Sequence, residues 1–498
     1  MAEVTGVKVV EVCSVAPSET TNCSTPTSLS LTFFDLLWLR SPPVERVFFY
    51  QLPNTTTTIS FSHTILPNLK HSLSLTLQHF LPLAGTITWP QESPHPVINY
   101  VPGNAVSLTI AESTVDFNML CSDTCQASLR HPLIPHLPTS DEQASVMALQ
   151  VTLFPGSGFS IGITTHHAAM DGKASTLFLK AWAYVCSNIL TESSFSSLPK
   201  HLTPFYDRSM IKDTTGMGAM YLKSWLNMGG PNNRSMKVWD LGGVNAMSAE
   251  SVRGSFELTS SNIRQLKQHA KSKLNENAHV TTFSVACAHA LQCLVKAEEP
   301  KSEGVAFLFS VDCRSRLETP LPSTYFGNCI IGHKVMGGTK KLLGDEGFVN
   351  GVEGMNEALK KLEDGVFGEA VNLSTMMKIA RDNRIFTTAG SPRFEVYSID
   401  FGWGRPLKVD MTSIGKTGAF CVSESRNENG GVEISLVLNK QEMEAFGSHF
   451  NQGLQSLWWC TTFKEALIWE NLCFDPIGLS RCFVFSVSSL ECCNIPFI

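Results

Sequence analysis

The sequence predicts an α/β protein of two mixed domains of similar size, joined by a long crossover, with a functional site where the domains meet. The chain has 498 residues, more than one ordinary hydrophobic core accommodates. Strand-like and helix-like patterns alternate along both halves. The periodicity fades once, where Pro and Gly residues accumulate before position 233. We therefore assign 1–195 to a first domain, 196–233 to the crossover, 234–457 to a second domain and 458–498 to an atypical tail.

The first domain is predicted from apolar runs with two different periods. Leu66, Leu69, Leu73 and Leu77 recur at helical spacing, and Pro82 ends that helix. Apolar residues at every second position indicate strands, and a Gly-rich turn joins two of them into a hairpin. The predicted elements are an apolar strand at 47–50, a helix at 66–80, paired strands at 147–153 and 159–165, and a helix at 172–185.

The second domain repeats this alternation after the crossover. Its first helix is followed by Pro300, which prevents the helix from continuing. The apolar run that comes next is typical of a strand buried on both faces. The predicted elements are a helix at 283–294, strands at 305–311 and 432–438, and a helix at 443–457.

Composition excludes several classes of function. Hydrophobic residues make up 43% of the chain and charged residues 16%, as in a well-packed globular protein. The net charge of -6, without a Lys/Arg block, argues against a nucleic-acid partner. Charged residues interrupt the first apolar positions, and no run of about 20 apolar residues occurs, so neither a signal peptide nor a membrane span is expected. We predict a cytosolic monomer without a membrane partner.

The cysteines are expected to be reduced. None of the 15 cysteines forms a CxxC pair at zinc spacing. In a long chain without a predicted secretion signal, most of them are expected to be buried as small hydrophobic side chains. Five lie in the segment 458–498, whose apolar residues follow no clear period. We assign no role to that tail.

The segment from Thr165 to Gly172 concentrates the residues best suited to chemistry. It places His166 and His167 at the end of a predicted strand, with Asp171 four residues after the second histidine. Histidine titrates near neutral pH, so His167 is a candidate general base with Asp171 in support. Local sequence leaves two other interpretations open, a packed pair of hydrogen-bonded histidines and metal ligation. Metal ligation is less favoured because no further ligand follows at a recognised spacing.

A second notable segment is Asp400–Gly404, which reads Asp-Phe-Gly-Trp-Gly. Glycines on both sides of Trp403 permit an unusual backbone beside a large, rigid ring. We interpret this segment mainly as a structural turn, in which Asp400 caps backbone amides or pairs with a nearby arginine. Two smaller segments, Tyr325–Cys329 and Ala389–Arg393, are predicted to be loops.

Together these segments resemble the plant BAHD acyltransferases, which transfer acyl groups from coenzyme A thioesters to alcohols or amines. The family's HxxxD motif matches His167–Asp171, and its DFGWG motif matches Asp400–Gly404 in full. The YFGNC segment at 325–329, with Asp312–Arg316 just before it, resembles the branch that acylates flavonoid and other phenolic glucosides, often from malonyl-CoA. The resemblance covers roughly residues 5–457.

The resemblance implies a chloramphenicol acetyltransferase-like fold with an active-site channel between the two domains. His167 is expected to take the proton of an acceptor hydroxyl without an acyl-enzyme, and Asp171 to support the loop through an ion pair. Ser391 and Arg393 are expected near the acyl donor. The residues expected to be structural in the DFGWG motif are Asp400, Gly402, Trp403 and Gly404.

The implied reaction moves a malonyl group from malonyl-CoA, as co-substrate, to a sugar hydroxyl of a phenolic or flavonoid glucoside. No permanently bound cofactor and no metal are expected. The malonyl carboxylate must meet a cation in a partly dry site. The candidates for that cation are Lys173, Arg393 and Arg40. Three alternatives stay open: an aromatic acyl-CoA or acetyl-CoA donor, a family member that binds ligands without catalysis, and, least favoured, a metal-dependent hydrolase.

The tail departs from the family, whose members generally end soon after the helix that carries Phe446 and Phe450. We therefore expect residues 458–498 to derive from read-through into non-coding sequence or from a variant splice end.

Overall fold

The computed structural model describes residues 6–19, 25–192, 197–239, 250–274 and 278–472. Most of the predicted tail, from residue 473 onward, lies outside these ranges. The strands, in chain order, are β1 (Val7–Val15), β2 (Ser28–Ser30), β3 (Val44–Gln51), β4 (Thr86–Thr88), β5 (Val97–Asn99), β6 (Val106–Ser113), β7 (Thr124–Gln126), β8 (Gln143–Ser145), β9 (Met147–Phe154), β10 (Gly158–Thr165), β11 (Val252–Leu258), β12 (Gly304–Asp312), β13 (Ile330–Gly338), β14 (Asn383–Ala389), β15 (Lys408–Met411), β16 (Phe420–Glu424) and β17 (Val432–Leu438).

The helices alternate with these strands. In chain order they are α1 (Phe33–Leu36), α2 (Thr58–Ser60), α3 (Leu66–Leu77), α4 (Phe117–Cys121), α5 (Gly172–Glu192), α6 (Met217–Asn227), α7 (Ser260–Lys273), α8 (Thr282–Glu298), α9 (Thr339–Leu343), α10 (Gly347–Lys361), α11 (Leu373–Asp382), α12 (Ile414–Thr417) and α13 (Lys440–Leu472). The predicted last helix is therefore longer than expected, because α13 continues past Leu457.

A six-stranded sheet organises the first half of the chain, in the order β1-β6-β9-β10-β3-β15. Among the described strand pairs of this sheet, only β6 and β9 are parallel. Every residue of β9 and β10 is buried, although their sequences alternate. One face of the sheet packs against α3 and α5 in the main core. A second cluster that includes Phe49, Phe117 and Phe154 covers the other face, so neither face meets solvent at the centre.

A seven-stranded sheet organises the second half, in the order β13-β12-β14-β16-β17-β11-β7. The apolar faces of α7, α8, α10 and α13 pack against one side of it around Phe307, Phe420 and Ile434. A small four-stranded sheet, β2-β5-β4-β8, lies within the first half. The architecture is thus two mixed α/β units, each built on its own large sheet.

Two short strands cross between the halves of the chain. β15 comes from the second half and pairs with β3, whereas β7 comes from the first half and pairs with β11. Asp410 on β15 lies between the buried guanidinium groups of Arg130 and Arg253. Burial acts to raise the pKa of Asp410, but these two arginines lower it well below its usual value. The two units therefore share strands and buried charges.

The segment predicted as a crossover, 196–233, contains α6. Its Trp225 is buried and donates through Nε1 to the carbonyl oxygen of Leu36 at 2.7 Å, so α6 packs on α1 of the first half. In the part of the chain that the structure describes, no helix is both long and apolar enough to cross a membrane.

Candidate active site

The two histidines follow the central hairpin of the six-stranded sheet. β10 lies between β3 and β9 and ends at Thr165. The backbone N–H of His166 still donates to the carbonyl of Val146 at 2.9 Å. A turn follows, in which the N–H of Ala169 donates to the carbonyl of His166 at 3.0 Å, and α5 then begins at Gly172. The turn is therefore held between a fully buried strand and a long helix.

His166 is a packed side chain. It is buried, and its Nδ1 accepts a hydrogen bond from the N–H of Ala168 at 3.2 Å. Burial, with a smaller contribution from the neighbouring His167, lowers the pKa of His166 to about 4. His166 is therefore neutral at physiological pH and is held by the turn.

His167 is half-buried, and its ring stacks on the indole of Trp38. Burial is the largest cause of a lowered pKa, while the residue's own backbone carbonyl, the charge of Asp171 and the Asn328 side chain act in the opposite direction. Nδ1 is buried and makes no hydrogen bond of ordinary geometry within the described residues, which leaves Nε2 as the nitrogen on the more open side of the ring. A neutral imidazole with an available Nε2 can accept a proton.

Asp171 caps the helix that follows it and pairs with a buried arginine. Its Oδ1 accepts from the N–H of Ala174 at 2.9 Å, the arrangement of a helix N-cap. Arg314 forms an ion pair with it at 2.9 Å, and both side chains are nearly inaccessible. The N–H of Cys329 donates to the second carboxylate oxygen at 3.0 Å. Asp171 thus has its oxygens committed to backbone and guanidinium donors.

Arg314 also connects this carboxylate to the second half of the chain. Its Nη2 donates to the carbonyls of Tyr325 and Gly327, each at 3.2 Å. Its Nη1 pairs with Asp312 at 3.0 Å, and Asp312 also pairs with Lys173 at 2.9 Å. The histidine turn is therefore held from both halves of the chain, so the site lies where they meet.

The DFGWG segment packs into the first half of the chain. Oδ1 of Asp400 accepts from the N–H groups of Gly402 and Gly404, at 2.7 and 2.9 Å. Both glycines have positive φ, at 103° and 99°, a conformation that other residues rarely adopt. Phe401 is buried edge-on against Trp182 of α5.

Trp403 has a similar edge-on contact with Phe159 of β10, at 6.0 Å between ring centroids. The motif therefore lies against the core that supports the histidine hairpin, and it precedes the shared strand β15.

The loop that carries Ser391 and Arg393 lies beside the start of α5. A Cβ on Gly172 would come within 2.7 Å of the Phe394 ring, which shows how closely the two segments pack. Ser391 Oγ accepts from the N–H of Arg393 at 3.2 Å. The Arg393 side chain is exposed and forms no ion pair with any of the residues that the structure describes.

Arg40 is used differently from the other two candidate cations. It is 4% exposed, and its guanidinium donates to three carbonyls in and just after the crossover, those of Ser235, Asn233 and Trp225, at 2.8, 2.9 and 3.2 Å. These hydrogen bonds tie the segment after α1 to α6 and leave Arg40 with little capacity for a ligand.

Three residues at the site had no role in the sequence analysis. Trp38 stacks on the ring of His167, Asn328 donates to the carbonyl of His167, and Asp35 accepts from Asn328. Asn328 belongs to the YFGNC segment, which indicated only a family branch. The roles of Trp38 and Asp35 arise from contacts between distant parts of the chain, which residue spacing does not show. Among the described residues, no group of three or more His, Cys, Asp or Glu side chains could hold a metal ion.

Comparison with known proteins agrees with this geometry. The model of the Transferase family matches residues 5–452. Phenolic glucoside malonyltransferase 2 of Arabidopsis thaliana is 39% identical over 461 residues, covering 90% of this chain and 99% of that protein. Agmatine coumaroyltransferase of Arabidopsis thaliana is 36% identical over 455 residues, covering 89% and 98%. The crystal structure of vinorine synthase has the same fold, with a TM-score of 0.63 and 20% identity over 88% of this chain and 96% of that one.

The fold and the family match define an acyl-CoA-dependent acyltransferase. The chain belongs to the BAHD acyltransferase family. The predicted family, fold class and enzyme class are confirmed.

Proposed function

We propose that the chain transfers a malonyl group from malonyl-CoA to a sugar hydroxyl of a phenolic or flavonoid glucoside, with His167 as the general base. The observation that carries the chemistry is the setting of His167: a half-buried ring with a lowered pKa, held where the two halves meet. The donor and acceptor are proposed from the likeness to phenolic glucoside malonyltransferase 2 and from the YFGNC segment.

In the proposed reaction, Nε2 of neutral His167 takes the proton of the acceptor hydroxyl while the hydroxyl oxygen attacks the thioester carbonyl. A carbon–oxygen bond forms and the carbonyl oxygen becomes an oxyanion. When this intermediate collapses, the carbon–sulfur bond breaks and the coenzyme A thiolate leaves with the proton from the imidazolium. A general base of this kind accelerates a reaction by about 10² to 10⁴. The buried cysteines take no part.

Asp171 is proposed as a structural partner, because its oxygens already accept from Arg314 and from backbone amides. The DFGWG motif is likewise proposed as structural, and Ser391 and Arg393 as contacts of the donor. We further propose that the two small-molecule substrates meet in a channel between the two halves, that the protein acts as a cytosolic monomer, and that it has no permanent cofactor.

For the malonyl carboxylate, Lys173 and Arg393 are better placed than Arg40. The pair between Lys173 and Asp312 is 37% and 42% exposed, so it is weak enough for a substrate carboxylate to compete with it. Arg393 is exposed and free of any ion pair among the described residues. Lys173 is the second residue of α5, and Arg393 directly precedes Phe394, whose ring packs against Gly172 at the start of that helix. Replacing the responsible cation by Met should lower the use of malonyl-CoA far more than that of acetyl-CoA.

An aromatic acyl-CoA is the second candidate donor. The chain is nearly as similar to agmatine coumaroyltransferase, at 36% identity, as to the malonyltransferase, at 39%. An aromatic acyl-CoA is therefore included in the test. Overall identity does not separate the two donors, because only the few residues around the acyl group discriminate between them.

The test uses purified protein with malonyl-CoA, acetyl-CoA and coumaroyl-CoA against phenolic and flavonoid glucosides, with release of coenzyme A thiol as the readout. His167→Ala is compared with His289→Gln, which alters a buried histidine of α8 outside the site. We expect malonyl-CoA to be preferred and only His167→Ala to lose activity. Full activity in His167→Ala would refute the mechanism, and a preference for another donor would refute the malonyl assignment. Tight binding without turnover would indicate a non-catalytic family member.

A further inference from the structure

The ring of His167 lies flat against an indole. The centroids of Trp38 and His167 are 3.9 Å apart and the two planes differ by 4°. The stack covers one face of the imidazole and excludes water from it, so any rotation of the ring out of this plane would lose the contact. Trp38 lies in the turn directly after α1, far from His167 in sequence. The stack therefore fixes the plane of the ring from outside its own hairpin.

The amide of Asn328 approaches the same histidine. Its Nδ2 donates to the backbone carbonyl of His167 at 2.8 Å, and hydrogen bonding by this side chain raises the pKa of the imidazole. Oδ1 of Asn328 and Nδ1 of His167 are both buried, and neither makes a hydrogen bond of ordinary geometry to any residue that the structure describes. One is an acceptor and the other is a donor when it carries the ring proton, so the two atoms are complementary.

One carboxylate connects these two contacts. Asp35, on α1, is fully buried and accepts from both the backbone N–H and Nδ2 of Asn328, each at 3.0 Å. Its backbone carbonyl accepts from the N–H of Trp38 at 3.0 Å. Nη1 of Arg208 forms an ion pair with Oδ2 of Asp35 at 3.0 Å. α1 and the turn after it thus position the indole of Trp38 and, through Asp35, the side-chain amide of Asn328.

Given the proposed role of His167 as the base, we propose that Trp38 and Asn328 are positioning residues that hold its imidazole in one plane and one tautomer. Nδ1 carries the proton toward Oδ1 of Asn328, and Nε2 is left free to accept the proton of the acceptor hydroxyl. The opposite tautomer would place a proton on Nε2 and abolish its basicity. A ring free to rotate would spend much of its time out of line with the acceptor, which costs rate and not ground-state binding.

The charged and titratable groups facing the ring set its proton affinity. They are Asp171 on the same turn, Asp35 on α1 and the neutral His166 next to it. Trp38 acts on the pKa of His167 in two opposite directions, because it excludes water from the ring and because its π face favours a protonated imidazole.

The test measures the ring directly as well as the rate. Histidine labelled with ¹⁵N, with His167→Ala to assign the signal, reports the tautomer and pKa of His167 by NMR. In the wild type we expect the Nδ1–H tautomer. Trp38→Leu and Asn328→Ala should populate both tautomers and lower kcat by about tenfold or more, with little change in KM. Trp38→Phe keeps a flat ring, so this variant should retain most of the wild-type kcat and the Nδ1–H tautomer.

Trp89→Leu is the matched control. Trp89 is 4% exposed, and its ring contacts a guanidinium instead of a histidine. Like that of Trp38, its Nε1 is buried without a hydrogen-bond partner among the described residues. Trp89→Leu should lose stability without a change in the tautomer of His167. The proposal is overturned if Trp38→Leu and Asn328→Ala leave the tautomer of His167 unchanged or affect kcat no more than Trp89→Leu. If the tautomer responds as expected but His167→Ala stays active, the base assignment fails and the positioning contacts stand.

Discussion

Arg314 and Asp171 form an ion pair of 2.9 Å that is almost completely removed from solvent and joins the two halves of the chain. Asp171 ends the turn that carries the histidines, and Arg314 follows β12 of the seven-stranded sheet. Removing one partner of a buried pair leaves an uncompensated charge, which is more costly than removing both. The pair therefore makes the position of the histidine turn depend on the second half of the chain.

Asp171→Asn should lower the free energy of unfolding by about 3 kcal/mol and reduce kcat, because the buried guanidinium of Arg314 loses its main counter-charge. The double variant Asp171→Asn/Arg314→Met should recover part of the lost stability, since no unpaired charge remains. Urea denaturation of both single variants and the double variant measures this coupling. Strict additivity of the two losses would show that the ion pair is not what stabilises the turn.

The local pattern around the histidines is what sequence predicts best. The hairpin that delivers His167 and the start of α5 follow from apolar periodicity and from the glycine after Asp171, both of which are local properties. The pairing of β15 with β3 does not follow from the sequence. β15 is only four residues long, and its partner lies more than 350 residues away, so no periodic signal marks the pairing.

The same reason limits what sequence shows of the site. Arg40 was a reasonable cation for a carboxylate, yet the structure gives its donors to backbone carbonyls of the crossover. Trp38 and Asn328 meet His167 only because α1, the hairpin and the segment before β13 converge in space. Such convergence is a property of packing between domains and has no counterpart in residue spacing.

Asp400→Ala should destabilise the protein by about 2 kcal/mol, because the N–H groups of Gly402 and Gly404 lose a charged acceptor. Asp400→Asn keeps an acceptor oxygen and should lose less than half as much. Neither change should alter kcat of the folded protein, since the contacts of this motif are with the core around Trp182 and Phe159. Thermal unfolding and initial rates decide this. A loss of kcat at full stability would assign the motif a direct part in the reaction.

Activity should fall on the acid side with a midpoint below pH 6.5. In the proposed mechanism the active form of His167 is the neutral imidazole. Burial lowers its pKa, so a more acidic solution is needed to protonate it than for a free histidine. The profile of kcat/KM between pH 5 and 8, corrected for any loss of folded protein, gives the midpoint in the free enzyme. A midpoint clearly above 6.5 would mean that nearby carboxylates outweigh burial at this ring.

Stability should also fall as the pH drops from about 6.5 to about 4, through a histidine that has no part in the reaction. Burial lowers the pKa of His289 on α8 to about 4. The unfolded chain therefore binds a proton in this window that the folded chain does not, and ΔG of unfolding decreases as pH falls, by about 3 kcal/mol for this group over the whole window. Its ring packs on Phe450 and hydrogen-bonds the carbonyl of that residue at 3.2 Å. His289→Gln removes the titration, so its unfolding free energy should depend less steeply on pH between 6.5 and 4, whatever its stability at pH 7.5. Denaturant unfolding of both proteins between about pH 6.5 and 4 gives the slope of the unfolding free energy against pH for each. Other titrating groups contribute equally to both slopes, so the difference reports His289 alone. Equal slopes would mean that His289 takes up its proton at the same pH in the folded and in the unfolded chain.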